Sequence, residues 1–206
     1  MPIVHAKAVA HLGEVDPVLG AWIRNAGPCG LRRERAGSHF EHIARAIVYQ
    51  QLSGKAAGTI HGRMLDLYGG RSPTPGQLSK TPTPTLRKVG LSGRKAEYLK
   101  DLALHAGHRT RPLERLDRMV DAEVIETLTA IRGIGAWTAQ MFLMFRLGRP
   151  DVLPVTDLGV QKAVQLLYGF RKLPTPDRVA KVGAAWAPYR TVASWYLWRR
   201  VDDPPQ

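Results

Sequence analysis

LTAIRGIGAWTAQMFLMFRLGRPDVLPVTDLGVQKAVQLLY, residues 128–168, reads as the end of one helix, a glycine hairpin, a second helix, and a lone acid opening a third. Leu128 and Ile131 close an apolar-periodic run, and Gly133-Ile134-Gly135 interrupts it. Trp137, Ala139, Met141, Phe142, Met144 and Phe145 then resume at helical spacing. Glycines on both sides of one isoleucine permit positive φ in the turn, so several backbone N–H groups can converge at the start of the second helix. Such a helix start attracts anions, and the helix dipole adds to the attraction.

Outward from that stretch the chain continues as helices. Residues 1–26 read as helical, with Asp16-Pro17 a plausible helix start and Val18, Leu19, Trp22 and Ile23 on one face. A basic loop, Gly27 to Gly37, carries Arg32, Arg33 and Arg35, which read as a solvated face. Ser38 with Glu41 has capping-box spacing, before Phe40, Ile43, Ala44, Ile47 and Val48 on one helical stripe. Gln50-Gln51-Leu52-Ser53-Gly54 separates that helix from the next, a spacing that an ordinary αα-corner would satisfy. Thr74-Pro75 and Thr83-Pro84 read as N-cap plus first helical residue of two short helices. Ser92 caps a helix that buries Ala96, Leu99, Leu102, Ala103 and Ala106, and its first turn holds Arg94 and Lys95. Cations there oppose the dipole, which suits either an external phosphate or, more simply, solvent. Residues 121–131 and 135–147 form the two helices of the hairpin motif, DVLPVT crosses in extended form, Thr175-Pro176 starts another helix, and Pro188 starts the last. There is no strand-like alternation of useful length, no internal repeat and no heptad pattern, so the expected class is all-α.

A chain of 206 residues is long enough for a good core, as one domain or as two small lobes. Its net charge of +13 and pI near 10.4 point to a polyanionic partner rather than a small acidic or neutral metabolite. The single cysteine, Cys29, excludes an internal disulfide, a four-cysteine iron–sulfur cluster and a thiolate zinc site in this chain. No apolar run approaches the roughly 20 residues of a membrane span, and the opening residues do not read as a signal peptide. A cytoplasmic protein is expected.

Four segments, in this order, resemble one branch of the helix-hairpin-helix DNA glycosylase superfamily, the 3-methyladenine DNA glycosylase II (alkyladenine) enzymes. They are IVYQQLSGKAAGTI at 47–60, GLSGRKAEYL at 90–99, GIGAWTAQMFLMF at 133–145 and WAPYRTVASWYLW at 186–198. The superfamily hairpin reads L-x-G-I/V-G-x-x-T-A and is followed about twenty residues later by a catalytic aspartate, here Asp157. The resemblance implies two helical lobes with the active-site cleft between them. The central lobe is 38–147, with the helix-hairpin-helix at 121–147, and the second is 1–37 plus 148–206.

It also implies roles for individual residues. Asp157, which by itself reads as an ordinary N-cap beside Thr156, becomes the catalytic acid; both roles are compatible, because helix N–H groups favour a charged carboxylate. Trp137, Trp186 and Gln50 fall in the base pocket, although either tryptophan is equally at home in a core; Trp195 and Trp198 read as core. Gln51, or Leu52 one place on, is the plug that fills the gap left by an extruded nucleotide, offsetting part of the few kcal/mol that flipping costs. Gly133, Ile134, Gly135 and Thr138 hold a DNA phosphate. The backbone carbonyls of Thr129, Ile131 and Ile134 hold a monovalent cation, Na or K, with no cofactor needed for catalysis. Where strand-cutting relatives place a lysine nucleophile this sequence has Trp137, and an indole cannot form a Schiff base. Its face instead suits an electron-poor ring.

The expected function is therefore that of a monomeric, monofunctional glycosylase. It would excise 3-methyladenine and 7-methylguanine class purines from double-stranded DNA, hydrolysing the N-glycosidic bond and initiating base excision repair. Selectivity is expected to rest on the lesion's positive charge, since no acid or histidine in the matched segments is an evident proton donor for a neutral leaving base. Larger members of the branch carry an N-terminal sheet domain before the helical body. This sequence reaches its QQLS segment by residue 50 and is expected to be a short form without that domain, with a pocket wall and hence a substrate range that differ from theirs. Two other readings stand beside this one. A non-catalytic helix-hairpin-helix DNA-binding module satisfies the charge and the hairpin. A bifunctional glycosylase/lyase for oxidised bases is disfavoured by the missing lysine and cysteines.

Overall fold

The structure, a computed structural model, describes residues 5–106 and 112–202. Among the described residues there are helices and turns but no strand, so the all-α expectation is met. The chain divides into two compact units, Met1–Glu34 with Gln140–Gln206, and Arg35–Ala139.

The unit built from both chain ends contains α1 (Ala6–Val15), α2 (Pro17–Ala26), α10 (Leu158–Tyr168), α11 (Pro176–Val182) and α12 (Arg190–Asp202). The expected helix over residues 1–26 is two helices, parted at Asp16, whose backbone is extended; residues 1–4 lie outside the described residues. Its core is formed by Leu12, Leu19, Val160, Val164 and Tyr196 among others, on faces of α1, α2, α10 and α12 that pack together, with Trp186 added from the 3-10 turn Gly183–Trp186. Full burial of each large apolar side chain contributes about 1.5–3 kcal/mol. The last helix begins at Arg190, two residues beyond the expected Pro188, which lies in the connection after Trp186.

Asp16 is the polar joint of this unit. Its backbone N–H closes α1 on Leu12, and its Oδ1 caps α2 by accepting from the Leu19 N–H at 3.0 Å. Oδ2 accepts from the Tyr168 hydroxyl at 2.5 Å and the Trp186 indole N–H at 2.8 Å. Burial, reinforced by the Asp16 carboxylate, pushes the Tyr168 hydroxyl far above its ordinary range, so it remains a donor.

The central unit runs through α3 (His39–Tyr49), α4 (Gly54–Asp66), α5 (Pro75–Lys80), α6 (Thr83–Lys88), α7 (Gly93–Ala106) and α8 (Asp121–Thr129), and ends in the first turn of α9 (Ala136–Met141). The capping boxes at Ser38/Glu41 and Thr74/Gln77 are both formed. At the second Thr-Pro pair the cap is Pro82 and Thr83 already lies in the helix. Helix α7 packs on α3, α5 and α6, burying Ala96, Leu99, Leu102 and Ala103.

The expected second hairpin helix over 135–147 is present, but only 136–141 is α-helical. Phe142–Leu147 widens to a π-helix that ends at Gly148 in the left-handed conformation. That last part belongs to the end-to-end unit, where the Arg33 Nε donates to the Arg146 carbonyl at 2.8 Å and an Arg146 guanidinium nitrogen donates to the Glu34 carbonyl at 2.9 Å. Arg33 is exposed, as expected of that loop, and also ties it to the end of the π-helix.

The Asp16 network yields a stability prediction. Asp16→Ala removes a cap and strands two largely buried donors, and is expected to cost about 3 kcal/mol or more in urea unfolding. Tyr168→Phe, which removes only one donor, should cost about half of that. Equal costs would show that Tyr168, not Asp16, carries the network.

Candidate functional site

Two groups of predicted site residues take definite form, one in each unit. The first surrounds Asp157. The segment reaching it, 149–157, lies along α12 and is bonded to it repeatedly. The Asp151 carboxylate takes two bonds from the Arg190 guanidinium, 2.6 and 2.7 Å. The Thr191 hydroxyl donates to the Arg149 carbonyl at 2.7 Å and accepts from the Val152 N–H at 3.0 Å, while the Thr191 N–H donates to the Pro150 carbonyl. The Ser194 hydroxyl donates to the Arg190 carbonyl at 2.8 Å and lies 3.3 Å from the Val152 carbonyl. Residues 190, 194 and 198 recur every four positions, so one stripe of α12 carries the whole segment.

At the far end of that stripe the Trp198 indole N–H donates to Asp157 Oδ1 at 2.9 Å. The same oxygen caps α10, accepting from the Val160 N–H at 2.8 Å. Asp157 is therefore an N-cap, partly buried, with its orientation set by a second, side-chain donor. Phe145 stacks on Trp198, centroids 6.0 Å apart. Gly159 lies close beneath this pair. A Cβ there would stand 3.0 Å from the Trp198 ring and 3.1 Å from Asp157 Oδ1.

One expectation is corrected here and one is extended. Trp186 was expected to offer a face to a base, but it is fully buried and its N–H is bonded to Asp16, which makes it a core residue. Trp198, expected to be core, does pack against it, and in addition its indole N–H holds Asp157. Periodicity cannot separate the two, because both sit in apolar helical text. Trp195 does pack, edge-on against Tyr196 and under Arg199. Burial pushes the Cys29 thiol upward, which disfavours its thiolate.

The second group lies in the central unit. Between α8 and α9 the hairpin is closed by the Ile134 N–H donating to the Ile131 carbonyl at 3.1 Å. That N–H is therefore engaged in the turn rather than turned toward an anion. Gly135 is the residue before α9, and its carbonyl accepts from the Ala139 N–H at 3.1 Å to open the helix. The Ile131 and Ile134 side chains are buried and anchor the hairpin. Gly133 has φ +81, and a Cβ on it would fall 2.2 Å from the Tyr98 ring. Trp137, in the first turn of α9, is 47% exposed, which leaves ring surface available.

Next to the hairpin lies the QQLS turn. The Gln50 amide donates to the Gly133 carbonyl at 2.8 Å, so Gln50 braces the hairpin, whereas the resemblance gave it to the base pocket. Gln51 has φ +55, a left-handed conformation that no other non-glycine among the described residues adopts. Leu52 beside it is 39% exposed. Lys95, expected to meet phosphate or solvent, instead donates from Nζ to the Val48 and Gln50 carbonyls, both at 2.7 Å. The sequence held no sign of this contact or of Tyr98 and Asp101, whose partners lie far along the chain. Among the described residues no group of three or more His, Cys, Asp or Glu is placed to hold a metal ion, and no helix is long and apolar enough to cross a membrane.

Residues 44–188 match the family model described as HhH-GPD superfamily base excision DNA repair protein. The DNA-3-methyladenine glycosylase 1 of Schizosaccharomyces pombe is 38% identical, over 94% of this chain and 86% of its own. Among solved structures, a DNA-3-methyladenine glycosidase from Bacillus halodurans superposes with a TM-score of 0.85 at 40% identity, covering 95% of this chain and 89% of that one. The S. pombe 3-methyladenine DNA glycosylase in complex with abasic DNA gives 0.79 at 33% identity, covering 96% and 98%.

The Asp151–Arg190 pair carries a pH signature. The guanidinium's hydrogen bonds hold the Asp151 carboxyl below its ordinary range, against an opposing effect of burial. A depressed folded-state value means that the pair stabilises the fold above the unfolded carboxyl's titration, near about pH 4, and that this contribution fades as pH falls through the folded value. Asp151→Asn should therefore melt below wild type at neutral pH, with the gap narrowing as pH drops toward about 2. A gap constant with pH would contradict this assignment.

Proposed function

The chain belongs to the HhH-GPD superfamily of base excision DNA repair proteins, and we propose that within it this protein is a monofunctional DNA glycosylase for alkylated purines in double-stranded DNA. The observation that carries the proposal is the Asp157 carboxylate, held at the mouth of α10 by the Val160 N–H and the Trp198 indole. A carboxylate so fixed is suited to a transition state that develops positive charge at a defined point, here the sugar of an extruded nucleotide. At about 4 Å and an effective dielectric near 20 the attraction is roughly 4 kcal/mol, about a thousandfold in rate. The acid also orients or deprotonates the attacking water. Cationic N3- or N7-alkylated purines leave as neutral bases, so no separate proton donor is required.

The remaining residues fit supporting roles. Trp137 offers an exposed face to the cationic ring, a cation–π contact of about 0.5–2 kcal/mol. Gly133, Gly135 and Thr138 at the hairpin would meet a DNA phosphate, and the net charge of +13 attracts the duplex. Gln51, in its left-handed conformation, and exposed Leu52 form the plug; strained backbone at a turn tip is a common mark of function. The carbonyls of Thr129, Ile131 and Ile134 are of the right chemistry for a monovalent cation bridging to that phosphate, being hard oxygens around the C-terminal end of α8, and Ile131 retains a lone pair beside its bond to Ile134. The protein is read as a monomer that acts on chromosomal DNA in the cytoplasm.

Incubation with methylated duplex DNA tests the proposal. Free 3-methyladenine and 7-methylguanine should appear, leaving abasic sites in unbroken strands, and borohydride added during turnover should trap no protein–DNA adduct. Asp157→Asn should lower release by about a hundredfold or more while DNA affinity stays within about a few fold. Normal turnover by that variant would return Asp157 to a capping role alone, and a trapped adduct would overturn the monofunctional assignment.

A further inference from the structure

One face of α7 joins two segments that are far apart in sequence. Lys95, Tyr98 and Asp101 recur every three residues along it. The Lys95 ammonium donates to the Val48 and Gln50 carbonyls, at the last turn of α3 and its C-cap. The Tyr98 ring occupies the space over Gly133 that a side chain there would need. Asp101 Oδ2 accepts from the Arg132 N–H at 2.8 Å. The Gln50 amide bond to the Gly133 carbonyl completes a closed loop of contacts between the turn, the helix and the hairpin.

These contacts are polar or lie at the edge of the core, whose burial is already supplied by Ile47, Leu99 and Leu128. What the lysine adds is local. The carbonyls ending a helix need donors, and a glycine in left-handed conformation usually follows to supply the turn. Here Gln51 takes that conformation without being glycine, and Lys95 supplies the donors. Two of the three ammonium donors are thereby occupied, and partial burial lowers the lysine's pKa, so this cation is poorly placed to serve as a phosphate contact.

We propose that α7 is a bracket and Lys95 a positioning residue that holds the 50–53 turn in fixed register with the hairpin, so that docking of the hairpin on phosphate carries Gln51 and Leu52 into the duplex as one rigid piece. Lys95 thereby acts on extrusion of the damaged nucleotide and not on affinity for DNA. A turn that must order itself during insertion pays that entropy at the barrier, whereas one already held does not. The inference rests on the glycosylase reading above, in which the hairpin meets phosphate and the turn enters the DNA.

The test compares wild type with Lys95→Met, which keeps the stem and removes the donors, and Lys95→Arg, which keeps the charge on a planar head. Binding is measured on undamaged duplex against salt, extrusion by 2-aminopurine fluorescence beside a methylated base, and base release at saturating enzyme. Lys95→Met is expected to lower extrusion and release about tenfold or more, with Kd within about twofold and the salt slope unchanged. Lys95→Arg should show the same split at smaller size. If Lys95→Met fails to fold, Lys95→Arg carries the test. A salt slope smaller by about one with uniformly weaker binding would make Lys95 a phosphate ligand and overturn the proposal. So would losses of extrusion and affinity in proportion to a lowered Tm, or wild-type extrusion in the arginine variant. Failure of wild type to release any base would instead sink the glycosylase reading, while the fluorescence signal would still report on the bracket.

Discussion

The bond from the Trp198 indole N–H to the Asp157 carboxylate, 2.9 Å long, is the constraint on which the account turns. A helix cap alone leaves a carboxylate free to rotate about its own side chain. A second donor from another helix, reaching the same oxygen, restricts that rotation. That donor is itself placed by α12, whose Arg190, Thr191 and Ser194 fasten the segment leading to Asp157. Asp157 is thus carried on a loop but oriented by a helix, the kind of support that a catalytic carboxylate would need.

The two units divide the chemistry. The one made from both chain ends owns the acid and buries its polar joint at Asp16. The central one owns the hairpin, the left-handed Gln51 and exposed Trp137, features suited to holding a backbone, displacing a base and stacking on a ring. The central unit is stiffened around its hairpin by bonds that contribute little to the core, such as those of Lys95 and Asp101. Such bonds lower the ordering cost of recognition more than they raise stability.

Local signals were legible in the sequence wherever a residue's partner lies within a turn or two. Ser38 with Glu41 acts within four residues and its spacing announced it, and Thr74 was legible as a cap from the proline after it. Gly133 was legible because few residues other than glycine tolerate its φ, although only the structure supplies Tyr98 as a second reason. Contacts at long range were not legible. Trp186 bonds to Asp16 across 170 residues and Trp198 to Asp157 across 41, so neither indole's partner could be read from the text around it. Lys95 looked like an unpaired cation in a helix's first turn because its two carbonyl partners belong to the backbone, which leaves no side-chain trace. The widening of α9 into a π-helix likewise has no mark in the apolar run that forms it.

If Asp157 stabilises charge on the sugar and no group protonates the leaving base, then the base must bring its own charge. The most direct measurement is a comparison of single-turnover release of 7-methylguanine and 3-methyladenine with that of hypoxanthine, from duplexes matched in sequence and opposing base. The account predicts that the cationic lesions leave far faster and that undamaged purines are nearly inert. Equal rates for charged and neutral lesions would contradict it, and would require a proton donor aimed at the base.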